Sequence, residues 1–208
     1  MKIWLREIAF NNLRDPVHFW EKMEGLPDYP SPLPADAAQV LSAAMPEPGS
    51  PYRTVRRRSG LGSLGRPRIV ALTTWHGGRI AREVKALVNS ACHLWNPTDD
   101  LPQADRYRMA LDQAVRCPDP YVRLESTWIL RRLAPDCCRI ELSTLPGEKA
   151  ALRLLHAMGK DVANIHHGSP HQISPIRYDL SKRPLDWLFS AATRMTRSTL
   201  HDWEDWKT

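Results

Sequence analysis

Three short β-like segments occupy residues 52 to 87, and they constrain the fold more than any other part of the chain. In chain order they read YRTVRRR, RIVALTTW and RIAREVKAL. A glycine-rich stretch separates the first two. The last two are separated by His76-Gly77-Gly78, which suits a tight hairpin because glycine accepts the positive φ angles that such turns need. The middle segment is rich in β-branched side chains, which pack well on a pleated surface. We therefore predict three consecutive antiparallel strands.

Helical segments surround these strands. Asp15 and Pro16 favour a helix start, and helices are predicted at 18–23 and 35–45, with proline-rich linkers after each. A further helix is expected from Pro102 to Arg116, and two more strands are expected at 121–124 and 128–133. The pattern predicts an α+β fold, in which a five-stranded antiparallel sheet carries one inserted helix and is followed by a helical region.

The last third of the chain has the periodicity of amphipathic helices. Two apolar stripes recur at three- and four-residue spacing, and both are predicted to be core-packing faces. The first comprises Ala151, Leu154, Leu155, Met158, Val162 and Ile165, and the second Leu185, Leu188, Ala192, Met195, Thr199 and Trp203. We predict three regions: a helical, proline-punctuated region at 1–50, the sheet at 51–145, and a helical region at 146–208.

The composition is that of an ordinary globular protein, with 208 residues, 42% of them hydrophobic and 25% charged. No apolar run is long enough to span a membrane, and Arg6 and Glu7 interrupt the first segment before a signal peptide could form. A cytoplasmic location without a membrane partner is therefore expected. The cysteines lack C-x-x-C spacing and are expected to be buried free thiols, at Cys92, Cys117, Cys137 and Cys138. No metal site is predicted from these spacings.

The net charge of +6 is concentrated in one segment. Residues 53–85 contain a single acid, Glu83, and nine cationic side chains: Arg53, Arg56, Arg57, Arg58, Arg66, Arg68, Arg79, Arg82 and Lys85. An anionic partner is therefore expected to approach this segment. One alternative is a nucleic-acid surface in which Arg56, Arg57 and Arg58 contact phosphates. Another is an arginine-rich sheet edge that only faces solvent.

Residues 60–65, GLGSLG, form a G-x-G-x-x-G motif inside this basic segment. In a dinucleotide-binding fold the motif would lead into a helix, but here a second strand follows it. The elements here follow one another as strand, glycine loop, strand, hairpin and lysine-bearing strand. Kinase-type nucleotide sites use this order, with the flexible loop covering the phosphates.

The motif order predicts a nucleotide-binding site made by Gly60, Gly62, Ser63, Gly65 and Lys85, with ATP and Mg²⁺ as the hypothetical ligands. Asp105 and Asp112 in the next helix are unranked candidates for an acid that pairs with Lys85. The alternative is that the glycines only form a hairpin and that Lys85 is a surface charge.

Several segments resemble the bacterial domain of unknown function (DUF) 2252 family, over roughly residues 50–206. They include GLGSLGRPR, REVKAL, CPDPYVRL, WILRRLAPD and LLHAMGKDVANIHHGS. That family is similar to the protein-kinase and aminoglycoside-phosphotransferase fold, so the resemblance implies a kinase-like sheet. It also implies that Gly60, Gly62 and Gly65 form a phosphate loop, that Lys85 contacts phosphate, and that Leu133-Ala134 is an adenine-side hinge.

The family's catalytic segment, like G-D-x-H-x-x-N-F, and its metal-binding segment, like D-x-N-D-F-D, have no counterpart in residues 1–50. The chain looks like the C-terminal part of such a protein. Phosphoryl transfer needs a residue that orients the nucleophile and acids that hold magnesium. We therefore expect a phosphotransferase-like chain that binds ATP or another phosphate ligand but is incomplete for transfer by itself. A second chain could supply the missing segments.

Overall fold

The computed structural model describes residues 16–60, 65–89, 101–115, 117–135 and 145–207. The chain divides into two compact units, Met1–Ile165 and His166–Thr208. The class is α+β, as predicted. The helices are α1 (Pro16–Glu24), α2 (Ala35–Ala43), α3 (Gln103–Gln113), α4 (Glu148–His166), α5 (Ile173–Lys182) and α6 (Trp187–Lys207). The strands are β1 (Arg53–Arg56), β2 (Arg68–Trp75), β3 (Gly78–Ala86), β4 (Arg123–Glu125) and β5 (Trp128–Leu133).

The five strands form one open antiparallel sheet in the order β1-β2-β3-β5-β4. This confirms the five-stranded antiparallel prediction, with α3 inserted between β3 and β4. The hairpin between β2 and β3 is also as predicted: Trp75 pairs with Gly78, and the two residues between them have φ angles of 47° (His76) and 76° (Gly77). Two consecutive left-handed residues give the twist that a two-residue hairpin needs.

Each face of the sheet carries its own apolar cluster. On one face, α2 contributes Leu41 to a cluster with Ile69, Val84 and Leu130. On the other, Met23 of α1 joins Val55, Val70, Ala81 and Leu133. The two first described helices thus belong to the same unit as the sheet and cover its opposite faces.

Side chains on the Val70 face follow the strand register. Val55, Val70, Glu83 and Arg131 lie side by side across four strands. Because alternate residues share a face, Arg68 and Lys85 lie on this face in the next row. Beyond the apolar cluster, this face of the sheet therefore carries charged side chains.

The two apolar stripes of the C-terminal third are not core-packing faces in the described residues, so that prediction is wrong. On α4, Leu154 is buried, but Leu155, Met158, Val162 and Ile165 are exposed. The large apolar residues of the second stripe are exposed too: Leu185, Leu188, Met195 and Trp203. The periodicity of apolar residues indicates that a helix is amphipathic, but it does not indicate what packs against the apolar face.

Cys117 is exposed, which corrects the expectation of a buried thiol at that position. The other three cysteines lie outside the described residues. Within the described ranges, no helix has the length and apolar character to cross a membrane.

Candidate phosphate-binding site

The two ends of the glycine loop are fixed next to each other. The backbone N–H of Arg57 donates to the carbonyl of Arg68 at 3.2 Å, so the strands remain paired just past the last residue of β1. Gly60 and Gly65 have φ angles of 73° and 74°, a region that disfavours side chains. Gly62 and Ser63, which were predicted as site residues, lie outside the described residues. The described glycines at the two ends of the loop thus have left-handed backbone conformations, which glycine adopts without a Cβ clash.

A proline-bounded segment supports β1 from its other side. The N–H of Tyr29 donates to Thr54 O at 2.9 Å, and the N–H of Arg56 donates to Pro27 O at 2.8 Å. Arg53 Nε also donates to Asp28 Oδ1 at 2.7 Å. Strand β1, which leads into the glycine loop, is therefore bonded to β2 on one side and to this segment on the other.

A cleft of about 440 Å³ opens at the base of the loop. Among the described residues, its lining includes five arginines and no acid: the residues are Tyr29, Pro30, Arg56, Arg57, Arg58, Gly65, Arg66, Pro67 and Arg68. The loop residues between Gly60 and Gly65 are Leu, Gly, Ser and Leu, which add no carboxylate. A cleft lined by one sign of charge attracts and concentrates anions.

Glu83, on the central strand β3, lies at the centre of this positive charge and is fully buried. Arg57 Nη1 donates to its Oε2 at 2.6 Å, and Arg131 Nε donates to its Oε1 at 2.6 Å. Arg68 Nη1 lies 3.3 Å from Oε1. One carboxylate therefore binds three guanidinium groups, two of which also line the cleft.

The burial of Arg68 has an electrostatic cost. Its pKa lies below the ordinary arginine value, chiefly because burial disfavours the charged form, while Glu83 opposes that shift. Arg131 and Arg57 lower the pKa further by like-charge repulsion. Arginine nonetheless stays protonated in proteins. Another anion in the cleft would relieve this repulsion.

Lys85 lies beside the cleft and not in its lining. It is half-buried, and its strand register pairs it with Arg68. Neither Asp105 nor Asp112 forms an ion pair with Lys85, and Asp105 instead pairs with Arg108 at 2.8 Å. The structure therefore brings the predicted lysine to the cleft but does not bring either predicted acid to the lysine.

The Leu133-Ala134 segment, which the resemblance implies as an adenine-side hinge, lies away from the glycine loop. Leu133 pairs with Ala81, toward the β2–β3 hairpin. Its side chain is buried in the cluster that contains Met23. In the described residues, α1 thus covers this part of the sheet face.

Most cations of the basic segment already have partners inside the protein. Arg53 pairs with Asp28, and Arg79 with Glu24. Arg82 is half-buried and donates to the carbonyl of Ala44. Arg56, Arg58 and Arg66 form no ion pair among the described residues, and all three line the cleft. The charge that remains available for a ligand is therefore concentrated at the loop.

Among the described residues, the cleft lining offers cationic groups for phosphate oxygens and no carboxylate for magnesium. Mg²⁺ takes oxygen ligands, commonly carboxylates, but the cleft lining has none, and the Glu83 oxygens are bound by arginines. Across the described ranges, no group of three acids, histidines or cysteines could hold a metal ion.

Glu83 is the site residue that sequence reasoning missed. The signal was present, because Glu83 is the single acid among nine cations and shares a strand face with Lys85. The predicted acids, Asp105 and Asp112, lie instead in the following helix. Compared with known protein families, curated proteins and solved structures, the chain shows no match. The resemblance to the DUF 2252 family therefore stays a prediction from sequence.

Proposed function

We propose that this chain binds a ligand carrying phosphate groups, with ATP as the expected nucleotide, in the cleft at the base of the glycine loop. The observation that carries the proposal is the lining itself, which among the described residues contains five arginines and no acid, although Arg57 and Arg68 also contact the buried Glu83 from beneath. Guanidinium groups bind phosphate through paired N–H donors. Gly65 adds a backbone position without a Cβ at the same wall.

The phosphate chain is the part of the ligand that this cleft recognises. Arginines neutralise its charge, and Lys85 adds a further cation beside Arg68. Tyr29 is the one aromatic side chain in the lining and offers a limited apolar surface. Binding is therefore proposed to depend on phosphate charge more than on the base, and inorganic tripolyphosphate should compete with ATP.

Calorimetric titration of ATP and of inorganic tripolyphosphate into the chain, with a metal chelator present, tests the proposal. The decisive variant is Arg58→Gln with Arg66→Gln, because both side chains are exposed and neither has an ion pair among the described residues. A matched control with the same loss of charge is Arg153→Gln with Arg177→Gln, two exposed helix positions.

The cleft variant should bind both ligands about tenfold or more weakly, since it loses two charge-assisted contacts. The control should bind as the unmodified chain does. The proposal is wrong if the unmodified chain binds neither ligand at millimolar concentration, or if both double variants lose affinity equally.

The alternative partner, nucleic acid, would need a continuous cationic surface. In the structure, Arg53 and Arg79 of the basic segment are ion-paired with Asp28 and Glu24, away from the cleft. Fewer cations are left for a long phosphate backbone than the sequence suggested. A compact phosphate ligand therefore has better support than an extended one.

A further inference from the structure

Glu83 connects the two ends of the glycine loop through their side chains. Arg57 follows β1, just before the loop, and Arg68 begins β2, just after it. Both guanidinium groups contact the Glu83 carboxylate, at 2.6 and 3.3 Å, and both residues line the cleft. A single buried carboxylate on the central strand thus sets where two cleft-wall arginines lie.

A guanidinium group can bind two anions at once. It presents five N–H donors in one plane, whereas a carboxylate engages only part of that set. Arg57 contacts Glu83 through Nη1 and keeps about a fifth of its side chain exposed, at 22%. Its remaining donors can therefore serve a ligand while the carboxylate fixes the plane of the group.

We propose that Glu83 is a positioning residue for the phosphate ligand, holding Arg57 and Arg68 at the cleft wall from beneath. The inference rests on the proposed phosphate binding and adds to it the residue that arranges the site. The expected gain in binding free energy comes from preorganisation, because arginines that are ordered before binding lose less conformational entropy when the ligand binds.

The direction in which one substitution changes the affinity for phosphate distinguishes a positioning role from a purely electrostatic effect. A carboxylate beneath an anion site repels the ligand, so removing its charge should strengthen binding if charge alone matters. If Glu83 positions the arginines, Glu83→Gln should weaken binding. Glu24→Gln, in an exposed ion pair with Arg79, is the matched control.

Titration with inorganic tripolyphosphate measures this, with a chelator present and below the melting temperature of each variant. We expect Glu83→Gln to bind about tenfold more weakly and Glu24→Gln to bind normally. Unchanged or tighter binding by Glu83→Gln overturns the positioning role.

A second pair of variants decides the question if Glu83→Gln does not fold. Arg57→Lys keeps the charge but loses the planar fork that reaches carboxylate and ligand together, so about a tenfold loss is expected. Arg79→Lys makes the same exchange at an exposed arginine outside the cleft lining, which pairs with Glu24, and should change affinity less than about threefold.

Equal effects of Arg57→Lys and Arg79→Lys overturn the positioning role and leave phosphate binding intact. Where Glu83→Gln folds, it should also be coupled to Arg57→Lys, so that the double variant binds no more weakly than the weaker single one. Additive losses would show that the two residues act separately. If the unmodified chain does not bind tripolyphosphate, both proposals fail.

Discussion

Trp128 Nε1 donates a hydrogen bond to Asp36 Oδ2 at 2.8 Å, and this bond ties strand β5 to the first turn of helix α2. The other carboxylate oxygen accepts from the N–H of Ala37 at 2.9 Å. Thr127 Oγ1 lies 3.2 Å from Oδ2. One exposed carboxylate thus links elements that are about ninety residues apart in sequence.

Asp36→Ala should destabilise the protein at neutral pH, because the indole N–H of Trp128 loses its acceptor. Hydrogen bonds, chiefly that from Trp128, hold the pKa of Asp36 below its ordinary value of 3.8. A lowered folded-state pKa stabilises the fold above the unfolded-state pKa, and that contribution is lost as the pH falls through the folded-state value. Urea unfolding should therefore show a difference between the two proteins at pH 7 that shrinks below pH 4. A difference that grows on acidification would contradict this assignment.

Two glycine-to-alanine exchanges should have opposite effects on stability. Gly65 has a φ of 74° with open space where an alanine Cβ would lie, so Gly65→Ala costs only backbone strain, about 1 kcal/mol. Gly159 lies inside α4, also with open space, so Gly159→Ala should stabilise by about 0.5–1 kcal/mol. Denaturant unfolding of both variants measures the two signs. Equal signs would show that Gly65 does not need its left-handed conformation.

Lys85→Ala is expected to abolish the thermal stabilisation that ATP gives. The lysine lies beside Arg68, at the end of the sheet that carries the glycine loop, and its charge adds to the field on a bound phosphate. Lys160→Ala, at an exposed position of α4, is the matched control. Melting curves with and without ATP provide the measurement. Full retention of the ATP shift in Lys85→Ala would place the phosphate on the arginines alone.

Oligonucleotide binding tests the alternative use of the basic segment. If the chain binds a compact phosphate ligand such as ATP, duplex and single-stranded oligonucleotides should bind it weakly at physiological salt. If nucleic acid is the partner, replacing Arg56, Arg57 and Arg58 together with serine should abolish tight binding and flatten its salt dependence, with Lys85→Ala unaffected. Fluorescence anisotropy across a salt series distinguishes these outcomes. The second outcome would replace the proposed function.

The purified chain is expected to show no sustained transfer or hydrolysis of ATP phosphate. Transfer needs acids around the phosphates, whereas the described cleft lining contains only cationic, aromatic, glycine and proline residues. A coupled assay for released phosphate, run over hours with Lys85→Ala beside it, measures this. Turnover that disappears in Lys85→Ala would show that acids outside the described residues complete the site.

The sheet was predictable from sequence because its local signals agree with one another. Glycines at the turns and β-branched residues between them located β2 and β3 to within a residue of the structure. The strands around the glycine loop and the hairpin need no distant information. Glu83 and Lys85 are two residues apart on β3, so strand alternation puts them on one face.

The candidate site was less predictable because it depends on a non-local pairing. β5 lies next to β3, although β4 is nearer in sequence, and this brings Arg131 opposite Glu83. The convergence of Arg57 and Arg68 depends on closure of the glycine loop. Sequence alternation shows which face a residue is on, but the choice among possible partners on that face is made by strand order. The prediction of Asp105 and Asp112 rests on chain order, which does not contain that information.

The segment from Pro27 to Tyr29 has a consequence for how other proteins could approach this sheet. By bonding to Thr54 and Arg56, it occupies the outer backbone groups of β1, which would otherwise be a template for strand addition. At the opposite edge, β4 is only three residues long. In the described part of the chain, intermolecular β-pairing and the aggregation that follows from it therefore have little backbone to start from. The phosphate binding proposed for this unit therefore relies on side chains, above all on the arginines around the glycine loop.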